Sequence, residues 1–204
     1  MATITDYASL TTAVGDWSER TYTQSQVDGF IGLFEARANR ILGHNYRREV
    51  EKTLNTDANG EVTLPTGFVG MRSIVRDVSG SVPLLPVTWG QLSTLNPYAE
   101  SGDPVNYAIS GSTLKVAPIA DDDFTAVYWS KLTGLNSTDT TNWLITLAPD
   151  AYLWGVLAQA YAFEEDPRAM NYREISDAII DELRVMSDLA QFSNAEVVLD
   201  TVTP

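Results

Sequence analysis

The chain has 204 residues, of which 44% are hydrophobic, and its formal net charge is -14. This length suggests one domain, or one domain with an insertion, and the acidic balance argues against sequence-independent binding to nucleic acid, which needs clustered Lys and Arg. The chain has no cysteine, which excludes disulfides, thiolate nucleophiles and Cys-ligated metal sites. We expect neither a signal peptide nor a membrane-spanning helix, and therefore a soluble protein made in the cytoplasm.

Two helices are predicted at the start of the chain. The first has Thr5 as its N-cap and ends at Gly15 and Asp16, with Tyr7, Leu10 and Val14 on one face. The second begins with a capping box of Thr23 and Gln26 and ends at Gly43. Its apolar residues follow a spacing of three and four: Val27, Phe30, Ile31, Phe34, Ala38, Ile41 and Leu42.

From about Glu49 the pattern becomes that of strands. EVEKTLNTDANGEVTLP contains the turn pair Asn59-Gly60, which predicts a hairpin, and FVGMRSIVRDV predicts a further strand. VPLLPVTW is interrupted by prolines and predicts an edge or irregular strand, and Thr88 caps a short helix over TWGQLSTL. VNYAISGSTLKVAP predicts a second hairpin around Ser110-Gly111-Ser112, and FTAVYWSKL predicts the last strand.

Helices return after Asn142. The stretch APDAYLWGVLAQAYAFEEDP is apolar nearly all round, which is typical of a central helix covered by its neighbours on several sides. A last helix runs from Pro167 to about Phe192, and the tail SNAEVVLDTVTP is predicted to be extended. The buried stripe predicted for this last helix consists of Tyr172, Ile175, Ile179, Leu183, Met186 and Ala190.

The order of these elements predicts an α+β fold. Residues 1–48 and 142–192 form a helical bundle built from both chain ends, and residues 49–141 form an inserted antiparallel β module. Residues 193–204 are the extended C-terminal tail.

Three groups of polar residues have both a chemical and a structural interpretation. His44 is a candidate general base, but it follows a helix C-terminus, where a polar residue is favoured. Asp121, Asp122 and Asp123 lack the alternating spacing of a calcium loop and favour a solvated turn. The acids at 164–166 close a helix before a proline, which favours a solvated corner over a catalytic carboxylate pair. We therefore predict no catalytic, cofactor or metal site.

The basic cluster of the chain is Arg37, Arg40, Arg47 and Arg48. It is suited to DNA phosphates or to acidic groups within the chain or on a partner subunit. Because the segment from Asp150 onward is rich in acids, pairing within or between subunits is favoured, and these arginines are candidate interface residues.

Four motifs occur in an order that resembles the phage head–tail connector adaptors of short-tailed and related phages. They are a helix of the type F-I-x-L-x-E-x-R-I-x-R at residues 30–40, in which Ala38 replaces the second Ile, L-P-x-x-F at 64–68, P-x-x-Y-x-I-x-G-x-x-L at 104–114 and P-D-x-Y-L-x-G-x-L-x-x-A at 149–160. The resemblance covers about residues 20–190. Each motif alone is weak, whereas four in order are fairly specific.

The resemblance implies a structural protein of the virion neck with no catalysis and no cofactor. Such proteins usually assemble as twelve copies under the portal protein, extend the DNA channel and provide the docking surface for tail, stopper or nozzle proteins. The bundle typically contacts the portal and neighbouring copies, and the β part typically faces the tail. DNA is expected to pass the acidic surface without specific binding, and no membrane is involved.

The tail after Phe192 is predicted to bind a partner, and two functional classes other than the adaptor are weighed after it. Val197, Val198 and Leu199 in the tail are candidate partner contacts, through addition of a strand to a partner sheet. The alternative function is a carbohydrate- or receptor-binding tail module, suggested by four aromatic residues of the β region: Trp89, Tyr107, Tyr128 and Trp129. A hydrolase would need an acid pair in a cleft, which the sequence does not indicate.

Overall fold

The computed structural model describes residues 3–43, 45, 48–80 and 82–192. The helices are α1 (Tyr7–Ser18), α2 (Gln24–Ile41), α3 (Trp89–Leu95), α4 (Trp143–Leu147), α5 (Pro149–Phe163) and α6 (Arg168–Phe192). The strands are β1 (Glu49–Asn55), β2 (Glu61–Thr63), β3 (Phe68–Arg76), β4 (Leu85–Pro86), β5 (Asn106–Ser110), β6 (Thr113–Ala117) and β7 (Asp123–Ser130). Helices at both ends and a central β module confirm the predicted α+β class.

The chain forms two compact units, a helical unit from residues 1–47 and 132–204 and a β unit from residues 48–131. Each unit has its own apolar core. The segment that follows β7 belongs to the helical unit, where Leu132 and Leu135 are buried in the core.

Helix α5 is the centre of the helical unit, as its apolar sequence predicts, and it contacts α1, α2, α4 and α6. It begins at Pro149, where a missing N–H costs nothing because the first turn of a helix has no partner for it. Aromatic rings connect it to its neighbours: Trp154 packs edge-on against Trp17 of α1, with ring centroids 5.1 Å apart, and stacks on Tyr172 of α6 at 5.3 Å.

Of the N-caps predicted for the first two helices, that of α2 is correct and that of α1 is wrong. Helix α2 has the predicted capping box of Thr23 and Gln26. The N-cap of α1 is Asp6 rather than Thr5, because the Asp6 carboxylate accepts from the Ser9 N–H at 2.8 Å while the Ser9 hydroxyl oxygen accepts from the Asp6 N–H at 3.0 Å.

The predicted end of α1 at Gly15 and Asp16 is also wrong. Helix α1 continues to Ser18 and closes at Glu19, which has a φ of 55°. A glycine inside a helix costs only about 1 kcal/mol, and the packing of Trp17 on α5 favours the extra turn.

Two sheets build the β unit. One has the strand order β1-β7-β3 and is antiparallel, and the other has the order β2-β6-β5-β4. The β4–β5 pair is parallel, so the module is not wholly antiparallel as predicted. Side chains from both sheets share one core, which includes Leu54 of β1, Ile74 of β3, Leu114 of β6 and Phe124 of β7.

One of the two predicted hairpins is present. Strands β5 and β6 pair with Ser110 opposite Thr113, and Gly111 has a φ of 59°, which a two-residue turn of this kind requires. The hairpin predicted at Asn59-Gly60 is wrong: these residues do form a turn, but β1 pairs with β7 and β2 pairs with β6. The turn therefore carries the chain from one sheet to the other.

The buried stripe of α6 differs from the prediction. Ile179 and Leu183 do pack against the core, but Met186 is exposed, and Ser176 and Ser187 are buried instead. The Ser176 hydroxyl donates to the Ala151 carbonyl of α5 at 2.9 Å, which allows a small polar residue to lie at the helix contact. Ala190 lies outside the residues whose side chains are described.

Candidate interaction surfaces

The predicted arginine cluster separates into side chains with different surroundings. Arg37 donates from Nε to the Asp177 carboxylate of α6 at 2.8 Å and from Nη2 to its second oxygen, and this hydrogen bonding raises the pKa of Arg37. Arg40, in the last turn of α2, is exposed. Arg48 is buried in the β unit, where its Nε donates to the carbonyl of the last β7 residue at 2.7 Å. Arg47 lies outside the described residues.

Several other candidates also lie outside the described residues. These are His44 and the tail residues Val197, Val198 and Leu199. Their proposed roles remain predictions from the sequence.

The two acidic clusters pair with cations of their own units. Asp122 accepts from Arg76, which also pairs with Asp103 at 2.6 Å. Glu164, at the corner between α5 and α6, pairs with Arg20 at 3.3 Å and accepts from the Tyr22 hydroxyl at 2.9 Å.

The corner at 164–166 therefore holds the linker between α1 and α2, and it is more than the solvated corner predicted. Within the described part of the chain, no group of three His, Asp or Glu residues is arranged to hold a metal ion.

Glu35 of α2 is a buried acid that the sequence analysis did not single out. Its Oε1 accepts from the Leu135 N–H at 2.8 Å and from the Tyr152 hydroxyl at 2.9 Å. Asn142 Nδ2 donates to the same Tyr152 oxygen at 2.6 Å. Burial raises the pKa of Glu35, and the two hydrogen bonds oppose that shift. The signal available in the sequence was an acid directly beside the apolar stripe of α2.

The role of Glu35 is to hold the segment after β7 on α2. Asn39, one turn further along α2, adds to this by accepting from the Leu132 N–H at 2.9 Å. The donors to Glu35 Oε1 and to Asn39 all come from the same chain, so the arrangement is a structural clamp.

The aromatic residues that suggested sugar binding differ in exposure, and two of the four are buried. Tyr107 and Tyr128 are only 7% and 4% exposed, because they belong to strands β5 and β7 and face the interior. Trp89 of α3 is exposed and lines a cleft of about 210 Å³ beside β6, without the other three rings. Stacking on a sugar needs an exposed ring face, which Tyr107 and Tyr128 lack.

Groups of exposed apolar side chains occur in both units. In the β unit, Val82, Leu85 and Val105 lie at and beside the edge strand β4, where the Leu85 N–H donates to the Val105 carbonyl at 2.9 Å. In the helical unit, a groove of about 490 Å³ lies between α1 and the start of α5, and it is lined by the partly exposed Trp17 and by the buried Leu153.

The outward faces of α2 and α6 also expose apolar side chains. The α2 outer face consists of Gly29, Gly32, Leu33, Ala36 and Arg40, and the α6 outer face consists of Glu182, Val185, Met186 and Leu189; all nine residues are exposed. Both faces lie opposite the buried side of their helix. Exposed apolar side chains grouped in this way are typical of protein–protein contacts.

None of the described helices is both long enough and apolar enough to cross a membrane. The model of one protein family, described as SU10 adaptor protein, matches residues 5–198. No curated protein sequence matches the chain.

Proposed function

Because the chain belongs to the SU10 adaptor protein family, a family of phage adaptor proteins, we propose that it is a head–tail connector that forms a ring beneath the portal. The match over residues 5–198 is the observation that carries this proposal, since it includes both compact units. The chain is a structural component of the virion, and the ring would extend the DNA channel at the neck.

Each unit has a surface suited to a different partner. The exposed apolar residues of the helical unit, on α2, on α6 and in the groove beside Trp17, suit contacts with the portal and with neighbouring copies. The residues beside β4 in the β unit suit the docking of tail, stopper or nozzle proteins. We propose this division of roles from the resemblance together with these exposures.

We propose that the protein acts by assembly and not by catalysis. Of the acids that had a chemical interpretation, Asp122 pairs with Arg76 and Glu164 pairs with Arg20. The buried acid Glu35 serves as the clamp on the segment after β7. The net charge of -14 favours a channel wall that DNA passes without adhering.

The tail at residues 193–204 is the proposed portal-binding segment. Its apolar residues Val197, Val198 and Leu199 suit the addition of a strand to a partner sheet. Deletion of the chain after Phe192 is expected to weaken portal binding. Unchanged binding by the shortened chain would remove the tail from the proposal.

The proposed function is tested by light scattering on a sizing column, with the chain alone and then with the portal protein of the same phage. We expect a soluble monomer that joins a ring-shaped complex when portal is added, and imaging of that complex counts the copies, for which we expect twelve. A chain that ignores portal and forms a stable small oligomer would overturn the proposal. That outcome would favour the receptor-binding tail module.

A further inference from the structure

The α6 outer face is an exposed apolar surface on the last described turns of a long helix. Val185, Met186 and Leu189 are 53%, 64% and 67% exposed. The α2 outer face carries a matching apolar residue, Leu33, which is 59% exposed. Because burial of apolar surface drives association, both faces are suited to another protein surface.

Each face also carries one charged residue, and the two charges have opposite signs. Arg40 is the exposed cation of the α2 outer face, and Glu182 is the exposed acid of the α6 outer face. Two other described cations of the helical unit pair within the chain, Arg37 with Asp177 and Arg184 with Asp181. In a chain with 13 cations and 27 acids, an exposed arginine on an apolar face favours an acidic partner.

The spacing of charge and apolar residue is the same on the two helices. Leu33 precedes Arg40 by two helical turns, and Glu182 precedes Leu189 by the same distance, about 10.5 Å at a rise of about 1.5 Å per residue. If the two faces pack with the helices antiparallel, Arg40 meets Glu182 while Leu33 meets Leu189. Ala36 then lies opposite Val185 and Met186.

The two glycines of the α2 outer face are consistent with a close approach. A Cβ added at Gly29 or at Gly32 would meet no other atom within 4 Å, so the packing of the single chain does not require glycine there. Each glycine nevertheless destabilises the helix by about 0.5–1 kcal/mol relative to alanine. A flat helix surface beside Leu33 lets a second helix lie near the lower end of the usual interaxial distance of about 8–10 Å.

We propose that the α2 outer face of one copy of this chain docks, with helices antiparallel, on the α6 outer face of the next copy. The partner is a second copy because one chain supplies both faces with matching charges and spacing. Two different faces make a head-to-tail contact, which propagates around a ring when the rotation closes. The inference rests on the proposed ring, and it names the surfaces by which neighbouring copies meet.

Charge reversal tests the ion pair. Arg40→Glu and Glu182→Arg each place like charges opposite one another, and each is expected to weaken neighbour-dependent assembly on portal by at least about tenfold. The double variant restores opposite charges and is expected to recover most of the loss. Arg184→Glu is the matched control, because Arg184 pairs with Asp181 on its own helix, and it is expected to assemble as the unaltered chain does.

Cross-linking tests the register, and the absence of native cysteine makes it specific. Leu33→Cys and Leu189→Cys are prepared as separate chains, mixed in equal amounts and assembled on portal under oxidising conditions. We expect disulfide-linked dimers in the mixture, and few of them when Leu189→Cys is mixed with a control chain carrying Ser25→Cys, at the far end of α2. Circular dichroism establishes that each variant is folded.

The outcomes separate this contact from the proposed function. If the unaltered chain forms rings on portal but charge reversal has no effect and the dimers are absent, the contact is wrong and the connector function stands. If the unaltered chain forms no ring with portal, the proposed function and the contact fall together.

Discussion

At the scale of single residues, Gly155 shows how one position of α5 depends on its neighbour. A Cβ built there would lie 2.1 Å from Cδ2 of Phe34, a ring of α2 that is 1% exposed and packs against Tyr152 with ring centroids 4.8 Å apart. The ring cannot move aside without disturbing the core. Gly155 is therefore required by the close approach of α2 and α5, despite its low helix propensity.

We predict that Gly155→Ala lowers the free energy of unfolding by about 1–3 kcal/mol, because the added methyl group overpacks the core. The matched control is Gly32→Ala, where the added methyl group meets no atom within 4 Å. That variant is expected to raise the free energy of unfolding of the monomer by about 0.5–1 kcal/mol. Urea denaturation measures both, and equal effects of the two substitutions would contradict the assignment.

At the scale of elements, helix α2 both packs on α5 and holds the segment after β7. Its apolar stripe was readable from the spacing of residues in the sequence. The clamp formed by Glu35 was not, because its partners Leu135 and Tyr152 are about a hundred or more residues away in the chain. A buried carboxylate of this kind makes stability depend on pH.

We predict that Glu35 destabilises the fold progressively as pH rises above its ordinary pKa, 4.5. The folded chain holds the proton of Glu35 to higher pH than the unfolded chain does, because burial raises the pKa in the folded state. Stability contributed by protonated Glu35 is therefore fully present below pH 4.5 and is lost as pH rises through the raised value. In Glu35→Gln this dependence is absent.

The measurement is the free energy of unfolding of both chains from pH 4 to pH 7. The difference, unaltered chain minus Glu35→Gln, is expected to fall with rising pH. A difference that stays constant would mean that the Glu35 carboxylate has the same pKa in the folded and unfolded chains.

The strands illustrate the limit of local patterns. The β5–β6 hairpin was predictable because its two strands and its glycine turn are adjacent in sequence. The turn at Asn59-Gly60 was equally clear, yet β1 pairs along its length with β7, and β2 with β6. Pairing of distant strands depends on which arrangement buries residues such as Leu54 and Phe124 together, and turn residues do not determine that.

At the scale of the whole molecule, the charge of the chain and its division into two units bear on function. The family match over residues 5–198 confirms the family predicted from the four motifs. A net charge of -14 disfavours retention of DNA on the surface of the chain.

We predict that the chain does not retard duplex DNA in an electrophoretic mobility assay at about 50 mM salt, where binding through phosphates is strong. Of the arginine cluster that suggested phosphate contact, Arg37 is paired with Asp177 and Arg48 is buried. Retardation that weakens steeply with added salt would contradict this prediction and would indicate a basic surface on the chain.

The sequence alone determined the α+β class, most of the helices, the central position of α5 and the family. These features follow from local periodicity, from caps such as Thr23 with Gln26, and from motifs whose order along the chain is itself the signal. Tertiary structure alone decided the pairing of β1 with β7, the Glu35 clamp, the requirement for Gly155 and the exposure of Met186. Each of these depends on which residues distant in the chain come into contact and which do not. Only the packing of the whole fold selects those contacts.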